Sequence, residues 1–388
     1  MVQPTHWIDR DEALARLGVK SQTLYAYVSR RRIAARPDPN NPRRSLYSAE
    51  DIARLTGTDP NEISGVLLSA EGPHGRMMTI ASHLTTVVEG RLFYRGQDAV
   101  QWAQTATLED TAGLLWDADG VQPFQGLAPR LDVQPGLTAR ARLFAAMGRR
   151  AQEDLRGATG SPASDALTSA ASAFNEGIDA IAGLGPRLQF HQRLGRAWKV
   201  LEREQHALRR ALVLVADHQL DAAVLATRVA TSGGASPAAA AMAGLVTLVH
   251  GPASVEIERS ITYVQAARRD PIGAARQRLE AHGMVPGFGD AAWPHGDPRA
   301  QDLIAHVGLP PDLTSVVDEG QRVSGQSPTI GLALALMARK LDLPREGAVD
   351  LYLVGRLVGL LGHALDQASN GSPIAARLRY VGPQPGAN

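Results

Sequence analysis

The feature that most limits how this chain can fold is its dominance by Ala/Leu/Arg segments in which apolar residues recur at helical spacing. Such spacing lines one face of a helix and makes that face bury itself against neighbours. Strand-like alternation of β-branched residues is scarce, so an all-α fold is expected. Beyond residue 66 one long helical region runs to the C-terminal end, punctuated at 157–164, 183–185, 233–237 and 286–298, where glycine and proline stop helices. No repeat at solenoid periods is present. At 388 residues the chain is too long for a single core and suits two or three domains.

Charge and cysteine content narrow the function. Lys+Arg total 40 and Asp+Glu 39, a net charge of +1, so the molecule as a whole has no global attraction for nucleic acid or membrane. There is no cysteine. That removes disulfides, thiolate–zinc sites and thiol nucleophiles, and suits a reducing compartment. The first residues, MVQPTHWIDRDEALARLG, carry charges where a signal peptide needs an apolar stretch. No long uncharged apolar run is seen that would span a bilayer. A cytoplasmic protein without a membrane partner is expected. The polar residues His282, Asp290, His295 and Asp297 share a loop region, but loop spacing of this kind fits a solvated turn better than a metal site, and no metal is expected.

The charge is unevenly spread. Residues 1–56 hold ten Lys/Arg against six Asp/Glu, an excess of four positive charges. Asp9 is placed to start a short helix with Ala13, Leu14 and Leu17 on one face. Gly18-Val19 forms a turn, and Ser21 caps a second helix reaching to Arg30, with Leu24, Tyr27 and Val28 facing the core. Residues 36–42, with three prolines, are expected to be loop. Arg43 to Tyr47 suit a short strand or wing, and Ser48 starts a third short helix. Helix, turn, helix is the arrangement that sets a second helix into a major groove. The string from ALARLGVKSQTLYAYVSRRRI to RRSLYSAEDIARL resembles the MerR/excisionase-like winged helix-turn-helix. On that resemblance Gln22, Thr23 and Tyr25 would reach DNA bases or phosphates, while Arg30, Arg31, Arg32, Arg43 and Arg44 would neutralise phosphates.

The body carries a second resemblance. EGRLFYRGQDAVQWAQTATLEDTAGLLW (89–116), ADHQLDAAVLATRVATSGG (216–234), VPGFGDAAWPHGDPRA (285–300), VGRLVGLLGHALDQ (354–367) and ARLRYVGP (376–383) resemble segments of the citrate synthases, in that family's order. The resemblance implies an all-α dimer with large and small helical domains. The expected division is 1–56 helix-turn-helix, 57–66 linker, 67–255 large domain, 256–345 small domain and 346–388 the C-terminal part of the large domain. It also implies a Claisen-type condensation of an acyl-CoA thioester with oxaloacetate, with no permanently bound cofactor and acyl-CoA as substrate or ligand. That chemistry needs a carboxylate base, histidines that stabilise the enol and polarise a carbonyl, and arginines that hold carboxylates.

By this resemblance His218, Arg299 and Arg356 stand at substrate-binding positions. The groups that move protons do not match. Asp290 follows Gly287-Phe288-Gly289, where the family has a histidine. Gly331 follows Pro328-Thr329-Ile330, where the family has its carboxylate. His250 precedes Gly251-Pro252 rather than following it, and is not expected to reach the cleft. Ala375-Ala376-Arg377 stands where the family has Arg-Pro-Arg, which reaches the neighbouring subunit's site. Asp221 replaces a usual asparagine. Three readings follow. One is an impaired homologue that binds an oxaloacetate-like dicarboxylate or acyl-CoA, as a homodimer or as a heterodimer with an active paralogue. A second is an active citrate or 2-methylcitrate synthase-type enzyme with a rearranged site. The third is a ligand-responsive DNA-binding regulator.

Overall fold

Helix-stop chemistry sets most boundaries. Asp221, Ser236, Asp270, Asp297 and Thr329 each accept a backbone N–H in the first turn of the helix they open, and glycines with positive φ at 283, 308 and 325 close the helices opened at Asp270, Asp297 and Pro310. The computed structural model describes residues 7–17, 21–29, 33–38, 41–49, 51–52, 67–68, 78–118, 120–129, 135–154, 162–185 and 188–375. The chain divides into two compact units, one of residues 1–81 with 370–388, the other of 82–369.

In the first unit, β1 (Trp7–Ile8), α1 (Arg10–Leu17), α2 (Ser21–Ser29), β2 (Ala35–Asp38) and β3 (Asn41–Ser48) follow in order. The strands form an antiparallel sheet, β1-β3-β2. Ile8, Ala13, Leu24, Ile33, Tyr47 and Ile52 make a small core, with Leu14, Leu17, Tyr27 and Val28 packed on it. The helical faces expected from spacing are the ones buried. The loop expected over 36–42 is in part a hairpin, with Ala35 opposite Tyr47 and Asp38 opposite Asn41, and a bulge at Pro37/Asp38. Pro37 is tolerated because β2 is an edge strand, and Pro42, in the middle strand β3, falls where the bulge leaves residues 42–44 out of the register. β4 (Leu67–Leu68) and β5 (Met78–Thr79) pair antiparallel. The turn at 18–19 and the linker at 57–66 lie outside the described residues.

The second unit opens with a small antiparallel sheet, β6 (Thr85–Val88), β7 (Arg91–Tyr94) and β8 (Gln97–Asp98). Helices follow: α3 (Ala99–Trp102), α4 (Leu108–Leu115), α5 (Ala139–Glu153), α6 (Ala163–Ala182), α7 (Phe190–Ala197), α8 (Gln205–Leu214), α9 (Ala222–Ser232), α10 (Pro237–Val249), α11 (Pro252–Ala267), α12 (Pro271–His282), α13 (Pro298–Val307), α14 (Pro311–Ser324), α15 (Ile330–Lys340) and α16 (Gly347–Asn370). The fold class is all-α, as expected. A large apolar core joins most of these helices, and a second one, with Tyr263, Phe288, Leu313, Val316 and Leu336, lies among α11, α12, α14 and α15. Helix α16 is long and apolar enough to cross a membrane, yet that stretch is wholly buried in the fold.

Two glycines let α16 lie against the segment after α8. A Cβ on Gly359 would stand 2.3 Å from the Ala216 carbonyl oxygen, and one on Gly355 would stand 2.6 Å from Val215 Cγ2. The Gly359 N–H donates to that same carbonyl at 3.1 Å. This close approach brings Arg356 and His363, on either side of Gly359, against Asp217.

Candidate active-site cavity

The loop 285–290 and the segment 326–329 meet through backbone hydrogen bonds. Gly289 N–H donates to the Ser327 carbonyl and Thr329 N–H to the Gly287 carbonyl, each at 2.9 Å. The contact sets Asp290 and Gly331 on one cavity of about 710 Å³. The N-terminal turn of α13 adds Arg299, α16 adds Tyr352 and Arg356, and the turn before α9 adds His218 and Asp221. All the positions that the resemblance placed in a substrate site within this unit therefore share one cavity.

His250 lines the same cavity, against the expectation that it stays away. It caps the C-terminal end of α10, and the Gly251-Pro252 bend that follows turns the chain straight into α11. The short connection keeps the histidine at the wall. Sequence reasoning also missed Glu256 and Arg259, both on α11 and both at the cavity. Glu256 Oε1 accepts the Gly287 N–H at 2.6 Å. A Cβ on Gly331 would meet Glu256 Cγ at 3.3 Å. Glu256 thus sets a carboxylate beside the position where the resemblance implies one. Only a register of α11 could have disclosed this, because Glu256 lies five residues past a turn whose alignment is ambiguous.

At the floor, the guanidinium of Arg356 is fully buried. Its Nη1 donates to Asp217 Oδ1 at 2.6 Å and its Nη2 to Asp221 Oδ2 at 2.8 Å. Nε is buried without a partner. Burial alone would raise the Asp217 carboxyl, but His363 and Arg356 overcome it and hold the group well below the usual carboxylate range. For Arg356, burial disfavours the charge, and Asp221 and Asp217 more than restore it, so its pKa lies above the ordinary value.

The network continues away from the cavity. Asp217 Oδ2 accepts from Thr85 Oγ1 at 2.8 Å and meets His363 Nε2 at 3.0 Å. Arg228 Nε donates to His363 Nδ1 at 3.1 Å. Since a guanidinium only donates, Nδ1 accepts and Nε2–H donates to Asp217. Arg228 also pairs with Asp366 at 2.5 Å, and Asp366 with the exposed His83 at 2.8 Å. This buried chain fixes the Arg356 guanidinium.

Arg299 is nearly as buried. Its Nε and Nη2 form a fork on Asp297, at 3.0 and 2.8 Å. Its guanidinium carbon lies 5.2 Å from the centre of the Trp293 ring, a cation–π contact. The Trp293 ring stacks with His218, centroids 6.0 Å apart. Burial pushes His218 down to about 3, with Arg299 and Arg356 acting in the same direction. Near neutral pH it is an uncharged imidazole, and its Nδ1 has no hydrogen-bond partner. Asp290 is half-buried, and its Oδ1 accepts the Ala292 N–H at 2.9 Å. Among the described residues no group of three or more His, Asp and Glu is placed to hold a metal ion.

The other expected site residues fall in the first unit. Tyr25 is 51% exposed, with the Arg10 guanidinium 5.9 Å from its ring centre. Arg44 is exposed and Thr23 half-buried. The side chains of Gln22 and Arg43, and residues 30–32, lie outside the described residues. So does Arg377, while Ala375 is exposed.

The family model "Citrate synthase, C-terminal domain" matches residues 75–378. Citrate synthase 2 of Bacillus subtilis (strain 168) is 28% identical over 194 residues, 46% of this chain and 52% of that protein. The citrate synthase of Haloferax volcanii is 27% identical over 186 residues, 44% of this chain and 49% of that protein. The chain therefore spans about half the length of these relatives in the matched region. Among solved structures the fold is similar to that of the citrate synthase of Thermoplasma acidophilum in ternary complex with carboxymethyl coenzyme A and oxaloacetate, at TM-score 0.59 and 19% identity, over 78% of this chain and 94% of that one. It is also similar to that of Thermotoga maritima, at TM-score 0.58 and 18% identity, over 78% and 93%.

Proposed function

Because this chain belongs to the citrate synthase family, we propose that it keeps the family's cavity without the family's condensation chemistry, and acts as a ligand-binding or regulatory homologue. One observation carries this reading. The cavity that gathers His218, Arg299 and Arg356 presents Asp290 and Gly331 at the two positions where the resemblance requires a histidine and a carboxylate base. An aspartate there sets a carboxyl group against an oxo acid where the chemistry needs a cationic or donor side chain, and a glycine accepts no proton. Each acid–base group contributes about 10²–10⁴-fold, so their joint loss leaves little turnover. The test is release of free CoA thiol from acetyl-CoA and oxaloacetate by the purified full-length chain. No citrate above background is expected. Turnover at ordinary enzyme rates, on the order of 1–10³ per second, overturns the reading.

A specific observation favours a second reading, an active acyltransferase with a rearranged site. His250 and Glu256 line the same cavity, so an imidazole and a carboxylate are both within it. If turnover is found with any acyl-CoA, Glu256→Gln and His250→Ala should each remove most of it; activity that survives both discards this reading.

The regulatory use rests on the first unit. Two helices and a three-stranded sheet with exposed Tyr25 and Arg44 suit a nucleic-acid-binding module, and the excess of basic residues over 1–56 supports it. We propose DNA as its partner, and a homodimer or a heterodimer with an active paralogue as the working form. Binding to the DNA upstream of its own gene should fall steeply with salt. Absence of binding at low salt ends the DNA proposal, and a single monomeric species at micromolar concentration, alone and with the paralogue, ends the dimer.

A further inference from the structure

We propose that Asp221 sets the specificity of the cavity, and that the cavity takes a small zwitterion, one carboxylate and one ammonium, in place of a dicarboxylate. The inference rests on the cavity being a ligand site, as proposed above, and goes on to say which ligand.

Both deep arginines are already paired within the protein. Arg299 spends its fork on Asp297, and Arg356 spends both Nη groups on Asp217 and Asp221. Asp217 and Asp297 are buried and fixed. Asp221 differs from them: its side chain is 32% exposed and it lines the cavity. Its Oδ1 caps α9 by accepting the Val224 N–H at 2.8 Å, which holds Oδ2 on Arg356. A carboxylate entering from the cavity meets a guanidinium whose two ends are already neutralised.

The wall adds to this. Glu256 and Asp290 face the same space. Counting these side chains and the two buried aspartates bound to the floor, three arginines (Arg259, Arg299, Arg356) stand against five carboxylates. A dianion enters against an excess of two negative charges, in a partly desolvated space where like charges repel strongly. Two attractive features for an anion remain, the Arg259 guanidinium at the cavity wall and one atom of Arg356. Arg356 Nε is buried and unpartnered, and a single carboxylate oxygen would satisfy it. An ammonium suits the acidic wall. One carboxylate and one ammonium therefore meet both ends.

The experiment uses three four-carbon probes that differ in charge: succinate, 4-aminobutyrate and butane-1,4-diamine. Each is titrated calorimetrically into the full-length chain and into Asp221→Asn. Asparagine caps a helix as well as aspartate, so the variant keeps α9. With the native chain, 4-aminobutyrate should bind at least tenfold more tightly than either other probe. In Asp221→Asn, succinate should gain tenfold or more. Succinate binding the native chain as well as 4-aminobutyrate overturns the proposal, as does an Asp221→Asn variant with an unchanged ratio, tighter binding of the diamine, or binding of none of the three. Failure here with no citrate formed from acetyl-CoA and oxaloacetate leaves the impaired-homologue reading standing, whereas citrate formation removes that reading itself.

Discussion

The floor and the wall of the cavity are built differently. The floor is a set of buried side chains, Arg356, Asp217, His363, Arg228 and Asp366, each tied to the next and set by the glycine-mediated approach of α16. The wall consists of His250, Glu256, Asp290 and Gly331, on helix ends and a loop, half-buried or exposed apart from the glycine. The floor cannot change without cost to folding, because a buried ion that loses its partner keeps its desolvation penalty. The wall can change freely. This difference fits the proposed reading, in which Arg299 and Arg356 stand at positions where the resemblance implies substrate binding while Asp290 and Gly331 stand where it implies proton-moving groups. The arginines are structural parts first.

The comparison is broken most directly at Arg356. Replacing it with methionine leaves Asp217 and Asp221 facing each other without a cation, and the cost should be about 3–5 kcal/mol. Urea unfolding measures it; a loss under about 1 kcal/mol would mean that the floor is as tolerant as the wall. Gly359→Ala comes next. Its methyl would sit 2.3 Å from the Ala216 carbonyl oxygen, and backbone must move, so about 1–3 kcal/mol should be lost. An unchanged melting temperature would show that α16 does not hold the floor in place.

A pH series sharpens the same contrast. His218 is held down to about 3 in the folded chain, while in the unfolded chain it titrates near 6.5. Between those values the unfolded state binds the extra proton, so stability from this group is present above pH 6.5 and is lost as pH falls toward 3. Asp350, raised by burial to about 6 despite the Arg140 pair, acts in the opposite sense. Between about 4 and 6 the folded state binds its proton, and stability falls as pH rises. His218→Gln should therefore flatten the acid side of the stability curve, and Asp350→Asn should steepen it. Identical curves for both variants and the native chain would mean that neither group differs between the two states.

How much of this was legible in the sequence depends on the kind of signal. Helical spacing gave the all-α class, and the small core of the first unit could be read from Ala13, Leu24 and Tyr27. Flanking residues also brought Asp290 and Gly331 together on one cavity with Arg299 and Arg356, since Gly-Phe-Gly and Pro-Thr-Ile set the two segments that bridge there. Two things were not legible. The hairpin at 35–48 was hidden because proline density reads as loop, although an edge strand accepts proline. The pairing of Arg299 with Asp297 and of Arg356 with Asp217 and Asp221 was hidden for a different reason. A sequence shows which ions exist and not which are spent on one another, so the arginines read as free receptors.

The smallest effect is expected at the wall, where Gly331→Asp tests tolerance. Residue 331 is the second residue of α15, so a carboxylate there gains from the helix N-terminus, by about 0.3–1 kcal/mol. Against that, its Cβ comes 3.3 Å from Glu256 Cγ, and the two carboxylates repel. The terms oppose each other at similar size, so the net change in unfolding free energy should stay within about 1 kcal/mol. Adding Glu256→Gln removes the repulsion and should make the substitution stabilising. If Gly331→Asp alone costs as much as Arg356→Met, the wall is bound as tightly as the floor, and the distinction between a fixed floor and a free wall fails. If Glu256→Gln leaves the effect of Gly331→Asp unchanged, the two carboxylates do not share one space, and Glu256 is not the group beside the place the glycine leaves empty.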